Sequence, residues 1–320
     1  MTNNLNLNKA KKGKNDEFYT QFDMVEKELT YYKKHLKNKI VLCNCDNPEK
    51  SAFWEYFHLN FADLGLKKLI STYYNEKGKS FKTEYIGGDD KNIKRGTKIP
   101  LNGNGDFRSE ECLNILDKCD IVVTNPPFSL FRDYIDVMTE HKKKFLIIGN
   151  MNAITCKQIF PLFKKNLLWY GVSIHSGGRK FYVPDDYPLN AKNCGMDENG
   201  RKFVILGNVR WFTNLDYDSR LRLKLKLRER YVSEKYPKYD NYNAINVNKL
   251  AEIPVDYDGV MGVPITFMDK YDSEQFEILG LSDSWDRSNE MQAIKTSSKS
   301  TSKAVLNGVE LYKRIFIRKK

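Results

Sequence analysis

The chain has 320 residues, which is enough for roughly two domains with a full hydrophobic core. Hydrophobic residues make up 41% of it and charged residues 29%, a balance that excludes an intrinsically disordered protein. No apolar run approaches the roughly 18 residues that cross a bilayer, and the Asn- and Lys-rich segment Met1–Lys14 lacks the apolar centre of a signal peptide. We therefore expect a cytoplasmic protein with no membrane partner.

Lys and Arg outnumber Asp and Glu by 53 to 41, which gives a formal net charge of +12. Such an excess favours a polyanionic partner, with nucleic acid first and an anionic membrane surface second. The six cysteines are scattered and include no Cys-x-x-Cys pair, and the four histidines are dispersed. This pattern predicts reduced thiols and no metal site.

The first predicted elements are a helix, a strand and a second helix. Thr20 is a candidate N-cap for the first helix, whose apolar residues at helical spacing are Val25, Leu29, Tyr32 and Leu36. A strand over 39–43 ends in the polar turn 44–51, and an aromatic-rich helix follows Ser51. Strand, turn and helix form the first half of a βαβ unit, in which ligands bind beyond the carboxyl ends of the strands. The turn lacks Gly-x-Gly, so an ordinary dinucleotide site is not predicted.

The most informative stretch is 120–128, Asp-Ile-Val-Val-Thr-Asn-Pro-Pro-Phe. Its apolar residues predict a buried strand, and its prolines, which fix φ and lack N–H donors, predict a rigid loop that presents carbonyl oxygens. An exocyclic amine could donate to the Asn125 side-chain oxygen and to the Pro126 carbonyl, while its base stacks on Phe128. Acceptors on both hydrogens would aim the nitrogen lone pair at an incoming methyl group without a strong general base. The alternative is a Pro-Pro turn that only ends a strand.

Later segments continue the alternation of helices and strands. Further strands are predicted at 144–149, 167–172 and 203–207, with a basic and aromatic edge at 177–184 and Trp211-Phe212 just past the last strand. Strands alternating with helices at this spacing predict a mostly parallel α/β sheet.

From about residue 216 the pattern changes. The segment 220–228 alternates strictly between basic and apolar residues, so a strand would carry leucines on one face and cations on the other. We interpret the cations as phosphate contacts along a duplex, although a solvated charged face is the alternative. These cations are Arg220, Arg222, Lys224, Lys226 and Arg228.

The last hundred residues also predict short strands at 265–268 and 276–279. Asn307-Gly308 lies between two short apolar runs and is a strong hairpin signal. The C-terminal tail again mixes cations with strand-forming residues, and we add its Lys313 and Arg314 to the predicted DNA contacts.

With these motifs in view, the chain resembles the amino methyltransferases that use S-adenosylmethionine, and most closely the EcoRI-type adenine DNA methyltransferase family. The likeness covers nearly the whole length and is most specific at 16–21, 44–51, 105–107, 120–128 and 308–314. The resemblance implies a Rossmann-like methyltransferase sheet with helices on both faces, plus a smaller basic C-terminal recognition region. It also implies that the catalytic loop holds a flipped adenine; its residues are Asn125, Pro126, Pro127 and Phe128.

The resemblance further implies a cofactor site. Asp106 and Phe107 would contact the adenine moiety of the cofactor, and Asp46 with its neighbours would line the methionine side. The full implied set is Phe18, Tyr19, Thr20, Cys45, Asp46, Asn47, Pro48, Asp106 and Phe107. Two departures stand out: the turn 46–51 replaces the Gly-rich cofactor turn, and no acid ends the strand at 69–74 to bind the ribose. Glu76 or a tyrosine is the candidate for that contact.

We therefore predict an S-adenosylmethionine-dependent methyltransferase domain at 1–214 and a DNA target-recognition region at 215–320. The predicted activity is site-specific N6-adenine methylation of double-stranded DNA by base flipping, in restriction-modification or in phage or host DNA protection. This leaves room for a cognate restriction endonuclease that shares the site. The alternatives are methylation of RNA amines or of a protein glutamine amide, and a binding protein that kept the scaffold and lost turnover.

Overall fold

A computed structural model describes residues 18–76, 78–218, 225–296 and 301–320. The chain divides into two compact units, the first formed by Met1–Met151 and Tyr170–Tyr217, and the second by Asn152–Trp169 and Asp218–Lys320. None of the helices in the described ranges has the length and apolarity to cross a membrane. Within the same ranges, no three His, Cys, Asp or Glu side chains are grouped so that they could hold a metal ion.

The first unit is built on an eight-stranded sheet with the order β4-β3-β2-β1-β5-β6-β11-β7. Its strands are β1 (Ile40–Asn44), β2 (Lys68–Thr72), β3 (Phe81–Tyr85), β4 (Thr97–Pro100), β5 (Ile121–Thr124), β6 (Lys144–Asn150), β7 (Trp169–Tyr170) and β11 (Val209–Thr213). The central four, in the order β2-β1-β5-β6, run parallel. All four residues of β5 are buried, as is usual for the centre of a parallel sheet.

The sheet is mixed, so the predicted parallel arrangement is confirmed for the central four strands and is wrong for their neighbours. β3 pairs antiparallel with β2, β4 with β3, and β11 with β6. Only eight residues separate β2 from β3, too few for the crossover that a parallel pair requires. The strand Val209–Thr213 was missed, although it holds the fully buried Trp211 and Phe212 that the sequence placed beyond the last strand.

The helices of the first unit are α1 (Phe22–Leu29), α2 (Ala52–Leu59), α3 (Glu110–Asp117) and α4 (Phe131–Glu140). Ser51 caps α2, because its Oγ accepts from the backbone N–H groups of Phe53 and Trp54 at 3.1 and 3.2 Å. The predicted cap of α1 was wrong by one residue: the N-cap is Gln21, with no side-chain cap bond, and not Thr20. The four apolar residues predicted for this helical region are all buried, the last two in and just after a 3-10 helix (Thr30–His35).

The first unit also holds a small antiparallel sheet with the order β8-β10-β9. Its strands are β8 (Arg179–Tyr182), β9 (Cys194–Met196) and β10 (Lys202–Leu206). The strand predicted at 203–207 therefore exists but belongs to this sheet. The strand predicted at 167–172 is limited to the two residues of β7.

The second unit contains a four-stranded sheet with the order β12-β13-β17-β14 and a separate hairpin. Its strands are β12 (Ile245–Asn246), β13 (Met261–Pro264), β14 (Phe276–Leu281), β15 (Val305–Leu306), β16 (Val309–Glu310) and β17 (Arg314–Lys319), and its α-helices are α5 (Phe160–Lys164) and α6 (Asn289–Ile294). The predicted hairpin is confirmed: β15 pairs with β16, and Asn307 and Gly308 have φ of 50° and 77°. The strand predicted at 265–268 is wrong, since a 3-10 helix (Ile265–Lys270) follows Pro264.

Most of the predicted basic strand lies outside the described residues, including Arg220, Arg222 and Lys224. The rest, 225–228, forms no strand, yet its leucines are partly buried while Lys226 and Arg228 are exposed. Over 215–320 as a whole, Lys and Arg only slightly outnumber Asp and Glu. The larger share of the positive charge therefore precedes the predicted recognition region.

Candidate active site

The turn after β1 carries a carboxylate at the carboxyl edge of the sheet. The backbone N–H of Asp46 donates to Thr72 at the end of β2 (3.1 Å), and its side chain accepts from the hydroxyl of Thr124 at the end of β5. Burial raises the pKa of Asp46 to about 6, although hydrogen bonds from Thr124, Ser51 and the backbone of Asn125 act in the opposite direction. Asp46 thus joins the ends of three neighbouring strands and favours a cation nearby.

The Asn-Pro-Pro-Phe loop leaves β5 next to this carboxylate. The amide Nδ2 of Asn125 donates to the backbone carbonyl of Phe18 at 2.6 Å. Because a carbonyl can only accept, this contact fixes the orientation of the amide. Its Oδ1 is buried and has no hydrogen-bond partner in the described ranges. A buried acceptor without a donor is costly unless a ligand supplies one.

Phe18 connects the start of the described chain to this loop through its ring as well. Its ring centroid lies 5.3 Å from that of Phe128, and the rings of Phe181 and Tyr187 lie 6.3 and 6.4 Å away. Phe18 is only 6% exposed, so its ring is also packed in the core of the first unit. Phe128 remains partly exposed at the start of a 3-10 helix (Phe128–Leu130).

Tyr19 and Thr20 lie between the loop and the turn after β1. The ammonium of Lys50 lies 5.8 Å from the centroid of the Tyr19 ring, which places this segment beside the turn. Thr20 is 8% exposed, and its Oγ1 has no hydrogen-bond partner within the part of the chain that the structure describes. Thr20 therefore offers a second polar atom that a ligand could satisfy.

Asp106 and Phe107 occupy the loop before α3. The Phe107 ring packs 5.0 Å from that of Tyr134, whose hydroxyl donates to Asn44 at the end of β1. Asp106 accepts from the Arg108 guanidinium at 2.7 and 3.0 Å, and this hydrogen bonding lowers the pKa of Asp106. Its carboxylate is therefore ionised and oriented.

Gly105 sets the path of this loop. It has φ of +80°, and a Cβ on it would collide with the backbone carbonyl of Tyr73. The loop therefore approaches the chain after β2 as closely as only glycine allows.

The other predicted cofactor residues fall in the turn that Asp46 begins. Cys45 and Asn47 are partly buried and Pro48 is buried. The Asn47 carbonyl accepts from the backbone N–H groups of Lys50 and Ser51, each at 2.9 Å, so the turn is closed by its own backbone. Burial raises the pKa of the Cys45 thiol well above its usual value, so this cysteine is a neutral wall residue.

The predicted DNA contacts lie in the second unit. Lys313 forms an ion pair with Asp283, and Arg314 donates to the side-chain oxygen of Asn248 at 2.8 Å. Both cations are therefore already engaged within the chain.

Sequence reasoning missed the residues that hold the site residues in place. Thr124 fixes Asp46, Tyr134 fixes Asn44, and Arg108 fixes Asp106. Thr124 and Arg108 each stand one position from a predicted site residue, a signal that was available in the sequence. Tyr134 could not be identified in the same way, because nothing in helical spacing reveals where a hydroxyl points.

An α/β sheet with an Asn-Pro-Pro-Phe loop at its carboxyl edge is the arrangement expected of an amino methyltransferase. Comparison with known proteins narrows this class. The family model described as "Adenine-specific methyltransferase EcoRI" matches residues 6–320. The chain belongs to this family, which confirms the resemblance inferred from its motifs. A methyltransferase requires a methyl donor.

Curated relatives agree with the family. The chain is 47% identical over 292 residues to the Type II methyltransferase M.EcoRI of Escherichia coli, covering 87% of this chain and 89% of the relative. It is 42% identical over 276 residues to the Type II methyltransferase M.MpnI of Mycoplasma pneumoniae, covering 85% and 84%. The Type II methyltransferase M.MgeORF184P of Mycoplasma genitalium is 41% identical over 278 residues, covering 85% of each chain. No solved structure matches the chain significantly.

Proposed function

We propose that the chain is a site-specific DNA methyltransferase that transfers a methyl group from S-adenosyl-L-methionine to N6 of an adenine flipped out of double-stranded DNA. Membership of the adenine-specific family supports the target base. The Type II relatives support a role in restriction-modification or DNA protection, and a cognate restriction endonuclease would share the site. The domain at 1–214 would perform the chemistry, and the region at 215–320 would recognise the target.

One observation carries the proposal: the buried Oδ1 of Asn125, which has no donor among the described residues. An adenine amine would supply the missing N–H, while Phe18 holds the other end of the amide in place. The second amine hydrogen would be donated to the backbone carbonyl of Pro126, a residue that has no backbone N–H group. Two acceptors on the amine hydrogens withdraw the nitrogen lone pair from the ring and direct it away from them.

Phe128 would provide the stacking surface for the flipped base. Phe128 is partly exposed, and its ring centroid lies 5.3 Å from that of Phe18. Stacking of a base on an aromatic ring contributes roughly 1–3 kcal/mol, which offsets part of the few kcal/mol needed to unstack and unpair the adenine. Pro127 keeps the two acceptors and the ring in a fixed relation.

The residues beside this loop fit S-adenosyl-L-methionine. Asp46 would face its cationic methionine part, and Phe18, Tyr19 and Thr20 would close that end, with the Thr20 hydroxyl satisfied by the ligand. Phe107 and Asp106 would contact its adenine. The turn residues Cys45, Asn47 and Pro48 would line the pocket between the methionine part and the adenine. When bound, this group supplies a methyl carbon on a sulfonium, and the chain's own part is to hold and aim the amine.

The predicted DNA contacts are retained as part of this proposal. Lys226 and Arg228 are exposed, which suits contacts to phosphates. Lys313 and Arg314 would have to exchange Asp283 and Asn248 for phosphate oxygens. Phosphate contacts by Arg220, Arg222 and Lys224, which lie outside the described residues, stay a prediction.

The test is transfer of a labelled methyl group from S-adenosyl-L-methionine to duplex DNA, with RNA and protein as separate acceptors. We expect N6-methyladenine as the product in DNA alone, and a drop of about 100-fold or more for Asn125→Ala. Asn60→Ala is the matched control, since Asn60 is also partly buried and also donates its Nδ2 to a backbone carbonyl, that of Tyr56 at 2.8 Å. Equal incorporation by wild type and Asn125→Ala, or transfer only to RNA or protein, would overturn the proposal.

A further inference from the structure

The geometry points to a second DNA contact in the first unit: the outer face of the β8-β10-β9 sheet, which we infer binds the phosphate backbone beside the flipped adenine. We define the outer face by the side chains of Lys180, Tyr182, Arg201, Phe203 and Ile205. This inference rests on the proposed function and adds to it a surface outside the predicted recognition region 215–320.

The strand register places these side chains on one face. Tyr182 of β8 is directly opposite Phe203 of β10, and Lys180 is opposite Ile205. Side chains two residues apart on a strand share a face, so the four lie together. The alternate residues Phe181 and Val204 are 0% and 2% exposed and form the inner face. The outer face is thus the solvent side of the sheet, and Ile205 on it is 43% exposed.

Cations on the outer face lie over aromatic rings. The ammonium of Lys180 lies 4.3 Å from the centroid of the Phe203 ring and 5.4 Å from that of Tyr182. The guanidinium of Arg201 also contacts the Tyr182 ring, at 4.2 Å from its centroid. Aromatic faces hold such cations without neutralising them. The rings therefore present charge at fixed positions, as a phosphate site requires.

Lys180 differs from the predicted tail contact Lys313. Lys313 is paired with Asp283, whereas Lys180 contacts no carboxylate within the described ranges. Arg201 is paired with Asp197 at 2.9 Å, so Lys180 is the main uncompensated charge of the outer face. Since most of the excess positive charge precedes residue 215, a phosphate contact in the first unit also accounts for charge that the recognition region does not hold.

The edge of β8 and the inner face of this sheet are both attached to the segment that orients Asn125. Tyr19 and Tyr182 exchange two backbone hydrogen bonds of 2.8 and 3.1 Å, and the side chain of Gln21 donates to the carbonyl of Lys180 at 2.8 Å. The Phe181 ring packs 6.3 Å from that of Phe18, whose carbonyl holds Asn125. Lys180 is therefore joined to the adenine-binding loop by a short series of direct contacts, and DNA that delivers an adenine to Asn125 would pass next to it.

The experiment measures binding of wild type, Lys180→Gln and Lys180→Glu to a duplex that the wild-type chain methylates, over a range of salt concentrations. The matched control is Lys118→Gln, an exposed lysine between α3 and β5, at the opposite edge of the sheet from the loop. We expect Lys180→Gln to weaken binding by about threefold to tenfold and to reduce the salt slope by about one. Lys180→Glu should weaken it further, and Lys118→Gln should match wild type.

The inference is overturned if Lys180→Gln binds with the wild-type slope and affinity, or if Lys118→Gln loses as much as Lys180→Gln. Thermal unfolding of each variant shows whether it is folded. Lys180→Arg keeps the positive charge, so this variant should bind DNA as wild type does if it folds. A wild-type chain that neither binds nor methylates duplex DNA would instead overturn the proposed function. The two failures are therefore distinguishable.

Discussion

The orientation of the Asn125 amide can be tested by replacing its nitrogen with oxygen. Nδ2 donates to the Phe18 carbonyl at 2.6 Å, and this contact leaves Oδ1 as the acceptor for the target amine. In Asn125→Asp, an oxygen faces the Phe18 carbonyl. As a carboxylate oxygen it repels the carbonyl, but as a protonated O–H it donates to the carbonyl and leaves the other oxygen free to accept.

The size of the effect follows from this one contact. Losing a hydrogen bond to a buried acceptor costs roughly 1–3 kcal/mol, which corresponds to about 5- to 150-fold in kcat. Near about pH 8, we expect the kcat of Asn125→Asp to be lower than the wild-type kcat by this factor. The quantity to follow is the ratio of the two kcat values at each pH. Because the repelled carboxyl has a raised pKa, the ratio should recover towards about pH 6, by at most the factor that is lost near about pH 8.

The assay is single-turnover incorporation of labelled methyl groups across this pH range. Dividing by wild type is essential, since burial raises the pKa of Asp46 to about 6 and Asp46 titrates in both proteins. Asn125→Ala serves as the control, because its loss should not depend on pH. A ratio for Asn125→Asp that stays constant, or that grows as pH rises, would refute the role given to Phe18.

Two further predictions concern stability. The folded chain holds the Asp46 proton more tightly than the unfolded chain, so the contribution of Asp46 to stability is present below about pH 4 and is lost as pH rises through about 6. The side-chain oxygen of Asn in Asp46→Asn still accepts from Thr124. We therefore expect this variant to raise the free energy of unfolding at about pH 8 by up to roughly 3 kcal/mol and to change it little at about pH 4. Urea denaturation measures both values, and equal changes at the two pH values would contradict this prediction. Gly105→Ala should lower the free energy of unfolding by roughly 1–3 kcal/mol more than Gly200→Ala does. Both glycines have positive φ, but only a Cβ at position 105 meets the Tyr73 carbonyl. Equal decreases in the two variants, measured by thermal unfolding, would exclude that collision.

The sequence was sufficient to predict those elements whose structure is determined by local patterns of residues. The runs of buried residues in β1, β5 and β6 and the Asn-Gly hairpin each depend on neighbouring residues, and each is confirmed. Sheet membership depends on distant pairing. Two adjacent apolar runs, 202–206 and 209–213, look alike in sequence, yet only the second joins the large sheet, antiparallel to β6.

For the candidate site, the residues were easier to predict than their partners. Asn125 and Asp46 stand out because each ends an apolar strand beside turn residues. The hydrogen-bond partner of Asn125 could not be predicted, because the carbonyl of Phe18 lies 107 positions away and a backbone atom leaves no mark in the sequence. The same limit hid the pairing of Lys313 with Asp283, which lies on a different loop.

The proposed methyl transfer depends on an adenine amine that is held by oxygen acceptors alone. Its most direct test is a crystal structure of the chain with duplex DNA and a non-reactive cofactor analogue. We predict a flipped adenine whose N6 lies within about 3 Å of Asn125 Oδ1 and of the Pro126 carbonyl, with Nδ2 still on Phe18. A flipped base held by other groups, with Asn125 Oδ1 turned away from it, would contradict the account.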